Sequence, residues 1–504
     1  MPNVVIEYLQ STNPEHINTN FLAYLTNLQT INSISTKVTA AIVKELADQR
    51  NNLKLIASEN YSSIATQVTM GNLFTDKYAE GYPMHRNYAG CDNVDEIESY
   101  AAEIACRVFN CDHAYIQPHS GADANLIAFW AILNSRIEIP HLEQLGETNP
   151  SKLTYEQWSE MRKKLGNQRL LGLDYYSGGH LTHGYRHNVS AQMFDAYTYS
   201  VNKETGLLDY DEIEKLAKEI KPLILLTGYS AYPRHIDFQR MREIADKVNA
   251  VFMVDMAHFA GLVAGKAFTG KNNPIPYAHV VTTTTHKTLR GPRGGMVLCT
   301  KEFSESVDKG CPLVIGGPLP HVMASKAIAL LEADTDEFCE YAKKIIKNAN
   351  TFARACMDKG MTITTQGTDN HLFLIDVRNY NLTGRQAESV LRECGITLNR
   401  NSIPFDPNGP WYTSGLRIGT PAITTLGMGE KEILEIAEIM DLVLKNTQPA
   451  KITKGSQAGS NSKARYIINP KIANQAKERV NNLIKDFPIY PELDLNLLQK
   501  YFSA

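Results

Sequence analysis

The chain has 504 residues, 43% of them hydrophobic, and a formal net charge of -3 from 51 basic and 54 acidic side chains. That length exceeds one core and implies two or three domains, with enough apolar material to fold without staples. The charge balance gives no footprint for nucleic acid or an anionic membrane, and eight cysteines without a C-x-x-C pair read as reduced thiols of a cytoplasmic protein.

The opening MPNVVIEYLQ lacks the basic region and apolar core of an export signal, and no apolar run reaches the ~20 residues of a membrane helix. Residues 1–52 read as an extension and arm, polar and weakly patterned to Ile31. From Thr36 an amphipathic helix follows, with Val38, Ala41, Ile42 and Leu46 on one face. From 53 to 331, short β-rich runs alternate with helical periodicity: AYIQ precedes ANLIAFWAIL, KPLILLTGYS precedes MREIADKV, and AVFMVDMAH leads to HVVTTTT. This alternation predicts an α/β domain with a large, mostly parallel sheet covered on both faces, binding ligands beyond the C-terminal strand ends. Residues 136–171, polar and helix-capable, read as an insertion. From 332 to 504 a long helix, the strands HLFLIDV and ITLN and further helices predict a smaller α+β domain. Within it, residues 451–463 (KITKGSQAGSNSK) read as a linker, and Ile472, Ala476, Val480 and Ile484 predict a terminal helix.

Four stretches carry chemistry. In VVTTTTHKTLRGPRGG (280–295), an uncharged strand runs into His286 and Lys287. A lone lysine is ordinarily a surface residue. At the C-terminal edge of a buried strand, desolvation lowers its pKa and leaves it nucleophilic, the setting of a Schiff-base lysine. The threonines fit an edge strand equally well. In AVFMVDMAH, Asp255 at a strand tip is either a helix cap or the partner of a protonated pyridine nitrogen, with His258 three positions on. AYIQPHSGADAN is a strand, a small-residue turn and a helix start. Backbone N–H groups around Ser120, Gly121 and Ala122 would cradle a phosphate, though Ser-Gly also begins ordinary helices. GGHLTHG sets His180 and His183 among glycines. A metal would need a third ligand nearby, and a flat imidazole stacked on a ring is equally open. Cradle, pyridinium partner, stacking imidazole and amine are the parts of a pyridoxal-phosphate enzyme. The competing nucleotide motif fails, since GLVAGKA (261–267) is one residue short of a P-loop and lacks its Ser/Thr.

Between Leu53 and Leu444, KLIASENY, DKYAEGYP, QPHSG, GGHLTHG, VDMAH, VVTTTTHKTLRGPRGG, GTDNHLF and SGLRIGTPAIT occur in sequence. On these motifs the chain resembles the serine hydroxymethyltransferase (glycine hydroxymethyltransferase) family. The resemblance implies a fold type I, aspartate aminotransferase-like pyridoxal-phosphate transferase, acting as a cytoplasmic homodimer or dimer of dimers with shared active sites. Its reaction moves the serine hydroxymethyl group reversibly to tetrahydrofolate, giving glycine and 5,10-methylenetetrahydrofolate, with aldolase or racemase side activity possible. No metal, nucleic acid or membrane enters.

Carried over residue by residue, Lys287 is similar to the Schiff-base lysine and His286 to a phosphate neighbour. Ser120, Gly121 and Ala122 form the cradle, and Asp255 and His258 lie at the ring. His180 resembles the stacking histidine, Ser230 the partner of the ring oxygen, and Arg417 the bidentate clamp on the substrate carboxylate. Ser58 and Tyr88 resemble further carboxylate contacts, Tyr88 with a catalytic part, and Asn401 a folate contact. Tyr78 and Glu80 resemble residues reaching in from the partner subunit, Glu80 to where hydroxyl and folate meet. Gly317 lies in a loop that approaches the neighbouring subunit's cofactor. Taken singly, Arg417 reads as an ion pair, Glu80 as a solvated charge, and Tyr78 and Tyr88 as core edges. The chain departs from the family at Ala122, where a hydroxyl residue is usual, at Asn87 and Ala89 in RNYAGC, and at LVIGG (313–317) in place of Gly-Gly-Gln-Gly-Gly. Loss of the hydroxyl at 122 implies weaker phosphate binding. A pyridoxal-phosphate aldolase or racemase would share these residues apart from the folate contacts, whereas a non-enzymatic scaffold predicts a lost lysine or aspartate.

Overall fold

ILLTG, VFMVD, VVTTT and GMVLC lack the polar alternation of a strand with one wet face. A computed structural model, describing residues 3–456 and 458–503, buries each along its whole length. Among the described residues the largest sheet has seven strands: β1 (His113–Tyr115), β2 (Arg169–Leu173), β3 (Asp195–Tyr199), β4 (Ile224–Gly228), β5 (Val251–Asp255), β6 (Val280–Thr284) and β7 (Gly295–Cys299). Their spatial order is β1-β7-β6-β5-β4-β2-β3. Strands β2 to β6 pair in parallel, whereas β7 is antiparallel to both β6 and β1. The two reversals cancel, so β1, β2, β4, β5 and β6 all end at one edge. This is the mostly parallel α/β architecture that the alternation predicts. The edge-strand reading of the threonines is corrected, because β6 lies inside the sheet. The hydroxyls of Thr282, Thr283 and Thr284 donate to Asn125 Oδ1, Thr284 O and Ala257 O.

A smaller antiparallel sheet joins β8 (Thr362–Ile363), β9 (Leu372–Asp376), β10 (Asn399–Asn401) and β11 (Gly415–Gly419) in the order β8-β9-β11-β10. Leu53 and Leu55 belong to its core rather than to that of the large sheet, because Leu53–Lys54 pairs in parallel with Ile396–Thr397. The chain then runs beside β11, and a Cβ on Gly419 would stand 2.3 Å from Ala57 Cα. Only glycine permits that approach.

Four sequence expectations change. The weakly patterned start forms helices Val4–Ser11 and Thr19–Asn32, capped by the Asn3 and Asn18 side chains. Phe21, Leu25 and Leu28 share a core with Leu498 and Phe502 of the last helix, Leu495–Phe502. Helix Thr36–Asn51 buries Thr39, Val43, Leu46 and Ala47, leaving Val38 and Ala41 exposed. Thr39 tolerates burial because its hydroxyl donates to Ser35 O. Residues 136–171 include helices Ile139–Gln144 and Tyr155–Gly166, but 169–171 belong to strand β2 of the core. Residues 451–463 connect β12 (Thr447–Lys451) and β13 (Asn461–Ile468), an antiparallel pair rather than a linker. Its composition hides that pairing; the Ser462 and Lys463 carbonyls accept from Gln386 and Thr383 side chains. Met1, Pro2, Ala504 and, within the predicted linker, Gln457 lie outside the described residues. No helix among those described is long and apolar enough to cross a membrane.

Candidate active site

Side chains just past the five aligned strand ends converge. Asp255 closes β5 and is buried. Its Oδ1 accepts the Ala257 N–H at 3.0 Å, a cap-like bond, and its Oδ2 accepts Asn125 Nδ2 at 2.9 Å and faces His183 Nε2 at 3.2 Å. His183 Nδ1 accepts the His180 N–H, which puts the ring proton on Nε2, aimed at Asp255. Burial alone would raise the Asp255 pKa. The hydrogen bonds from His183 and Asn125 outweigh it and hold the carboxyl well below the usual range.

The same Asn125 amide donates to Thr182 Oγ1 at 2.7 Å, and that hydroxyl lies 2.8 Å from His180 Nδ1. His180 Nδ1 also accepts the Thr182 N–H, so the His180 proton sits on Nε2. Burial pushes the His180 pKa down to about 4, and the ring is neutral.

Lys287 lies just past β6, its carbonyl held by Asn60 Nδ2 at 3.0 Å. Burial lowers its amine pKa to about 8, with Asp255 opposing and Arg417 and Arg293 assisting. Arg417, mid-strand in β11, donates from Nη1 to Ser230 O at 2.7 Å and from Nε to Asn399 Oδ1 at 3.1 Å. Burial lowers its pKa to about 10, so it stays cationic, yet no carboxylate pairs with it among the described residues. A desolvated guanidinium without an anion is costly unless a ligand supplies one. Ser58 follows Ala57 beside this strand, and Asn401 sits in β10 with Nδ2 on Ser402 O. The Ser230 hydroxyl is directed to Gly179 O at 3.2 Å.

At the predicted cradle, Ser120 caps helix Gly121–Leu133. Its Oγ accepts the Asp123 N–H at 3.2 Å and donates to Asp123 Oδ2 at 3.0 Å. A Cβ on Gly121 would meet Thr284 Cγ2 at 2.6 Å, so β6 and the helix start close on each other. Ala122 is exposed there, and His286 Nδ1 is buried without a hydrogen-bond partner. Burial lowers the His286 pKa to about 3.

Tyr78, Glu80, Tyr88 and Gly317 form a second group. The Tyr78 and Tyr88 rings meet edge-on at 4.8 Å, and a Cβ on Gly317 would lie 3.0 Å from the Tyr78 ring. The Glu80 carbonyl accepts the Asn87 N–H, and the Gly81 N–H reaches Cys311 Sγ at 3.4 Å. These contacts run among residues 78–88 and 311–317, and none reaches Lys287 or Arg417.

Sequence reasoning passed over Asn125, Asn60, Asn399, His371 and Lys326, and left His183 without a role. Asn125 and Lys326 had a signal, as polar residues within the apolar helical runs ANLIAFWAIL and VMASKAIALL. Lys326 Nζ donates to the carbonyls of Ile116, Pro118 and Gly295 at 2.6, 3.0 and 2.8 Å, bracing both arms of the cradle. Asn399 had none, since only its register opposite Arg417 gives it a role. No cluster of three or more His, Cys, Asp or Glu among the described residues could hold a metal ion.

A family model described as Serine hydroxymethyltransferase matches residues 31–164 and 152–440. A serine hydroxymethyltransferase of Treponema pallidum (strain Nichols) is 57% identical over 496 residues, covering 98% of this chain and 86% of that protein. Proteins of the same name from Salinispora tropica and Chlamydia trachomatis serovar L2 are 55% and 48% identical, covering 94% and 95% of this chain and 98% and 95% of their own lengths.

Proposed function

The chain belongs to the serine hydroxymethyltransferase family, and from that premise we propose a part for each residue of the site. It is a one-carbon transferase that uses pyridoxal phosphate to interconvert serine and glycine, with tetrahydrofolate as co-substrate. The observation that carries the assignment of roles is the half-buried Arg417, cationic and without a carboxylate, near a lysine of lowered pKa and an ionised, buried Asp255.

The residues present fit the cofactor. Asp255 suits a ring N–H, and His286 Nδ1 is a buried polar atom lacking a partner at the cradle. When bound, pyridoxal phosphate supplies an electron sink for the pair left on the amino-acid Cα. Lys287 would hold it covalently, because an amine with a pKa of about 8 is partly neutral at physiological pH. Ser120, Gly121, Ala122 and His286 would hold the phosphate, Asp255 would keep the ring nitrogen protonated, and His180 would lie on the ring face. Ser230, with His258, would serve the ring oxygen by turning its hydroxyl from Gly179 O.

Arg417, with Ser58 and Tyr88, would fix the substrate carboxylate so that the breaking bond is aligned, which is orientation used as catalysis. Glu80 would take the hydroxyl proton, and Asn401 would contact the folate. Because Tyr78, Glu80, Tyr88 and Gly317 cluster away from Lys287, we assign them to the active site of a second copy in a homodimer or dimer of dimers. Their surroundings support this: Leu73 and Met84 are 86% and 83% exposed, and Leu313 is 60% exposed. A reducing cytoplasm suits the eight unpaired cysteines. Adding glycine and tetrahydrofolate together to the purified yellow protein tests the reading, since its absorption should change more than with glycine alone. Serine cleavage indifferent to tetrahydrofolate would favour an aldolase instead.

A further inference from the structure

His258 follows β5 of the large sheet, and His371 precedes β9 of the small one. Their rings stack at 5.4 Å and 28°, with His258 Nδ1 3.2 Å from His371 Nε2. The two are 3% and 0% exposed. Their backbones are tethered, His258 O by the Thr288 hydroxyl at 2.9 Å and His371 O by the Thr420 N–H at 3.0 Å. Burial, then the charges of Lys287 and Arg417, hold both rings neutral. Two neutral imidazoles in contact must divide the roles, one donating and one accepting.

Two arrangements exist. If His258 Nδ1 carried the proton, His371 Nε2 would be bare and the His371 proton would sit on Nδ1. That atom is buried and has no acceptor. Orphaned buried N–H groups are rare and costly, so this arrangement is disfavoured. In the other, His371 Nε2–H donates to a bare His258 Nδ1, and the His258 proton moves to Nε2. The neighbouring histidines repeat the pattern, since His180 and His183 each accept a backbone N–H on Nδ1 and keep the proton on Nε2.

We propose that His371 is a positioning residue: it fixes the tautomer of His258 so that Nε2–H is presented as a donor to an anionic oxygen of the bound cofactor. The last step rests on the cofactor reading above, and the tautomer does not. The first test is 15N NMR of histidine-labelled, cofactor-free protein, with His258 and His371 assigned by substitution. The expected result is a bare His258 Nδ1 coupled through the hydrogen bond to a protonated His371 Nε2. A protonated His258 Nδ1, or a charged ring at neutral pH, would overturn the proposal.

The second test titrates pyridoxal phosphate into variants whose cofactor-free melting matches the parent. His371→Gln keeps an N–H donor and should bind within about 2-fold of the parent, whereas His371→Leu should bind about 10-fold more weakly, with a displaced absorption maximum. Equal binding by both variants would overturn the proposal. If His371→Leu does not fold, the NMR result decides. Failure of the unmodified protein to bind pyridoxal phosphate would overturn the last step and the cofactor reading together. A protonated His258 Nδ1 in a protein that does bind it would sink the proposal alone.

Discussion

Around Asp255 the polar atoms are saturated from within the chain: both carboxylate oxygens are bonded, and His180 and His183 have their Nδ1 atoms occupied. Around Glu80, by contrast, aromatic side chains face solvent, Tyr78 at 54% and Tyr88 at 48% exposure. The first region is finished when the chain folds, as preorganised electrostatics requires. The second is what we propose as half of an interface. On the roles proposed above, the difference teaches that chemistry at the Cα would depend on one chain's strand ends, while transfer to the folate would depend on what a second chain brings.

That division can be broken by substitution. The largest effect belongs to Lys287→Ala, which should take turnover below detection while far-ultraviolet circular dichroism and cofactor-free melting stay unchanged. Normal turnover in a folded variant would remove the lysine from the mechanism. Glu80→Gln should lower folate-dependent serine conversion by ~10²-fold. Spectral changes on binding glycine alone should survive, and their joint loss would move Glu80 into the first region.

Arg417→Lys keeps charge but not the planar fork. It should raise the KM for serine by about 10- to 100-fold, the worth of one charge-assisted hydrogen bond. An unchanged KM would mean that the guanidinium serves only Ser230 and Asn399. The smallest effect is on pH. The Lys287 pKa is depressed to about 8, so its amine is neutral above that pH and protonated below it. The rate at which cofactor-free protein takes up pyridoxal phosphate should therefore fall about tenfold per pH unit below about 8 and level off above it. A midpoint near the ordinary lysine value would show that the amine is hydrated.

Much of the first region was legible in the sequence, because parallel strands bring the residues at their C-terminal ends to one edge. Asp255, Lys287, Ser120 and His180 all lie at or just past such runs. The polar scaffold behind them was legible at most as polar residues in apolar runs, such as Asn125, and its roles were not. Asn125, Asn60 and His371 derive their roles from neighbours 130, 227 and 113 positions away. Helical periodicity misplaced the Thr36–Asn51 stripe because a satisfied threonine can be buried where a valine is not. Composition likewise concealed the β12–β13 pair, whose backbone carbonyls at Ser462 and Lys463 accept from Gln386 and Thr383.

Mixing two inactive chains tests the shared site most directly. Lys287→Ala and Glu80→Gln subunits, co-expressed in equal amounts with separate tags, would form heterodimers in which one site has both mutations and the other has neither. If Glu80 serves the partner's lysine, random pairing should restore folate-dependent turnover to about a quarter of the parent level. If Glu80 serves the lysine of its own chain, no site in the mixture is intact. Activity no greater than that of the separate variants, in a sample shown to contain heterodimer, would contradict the account.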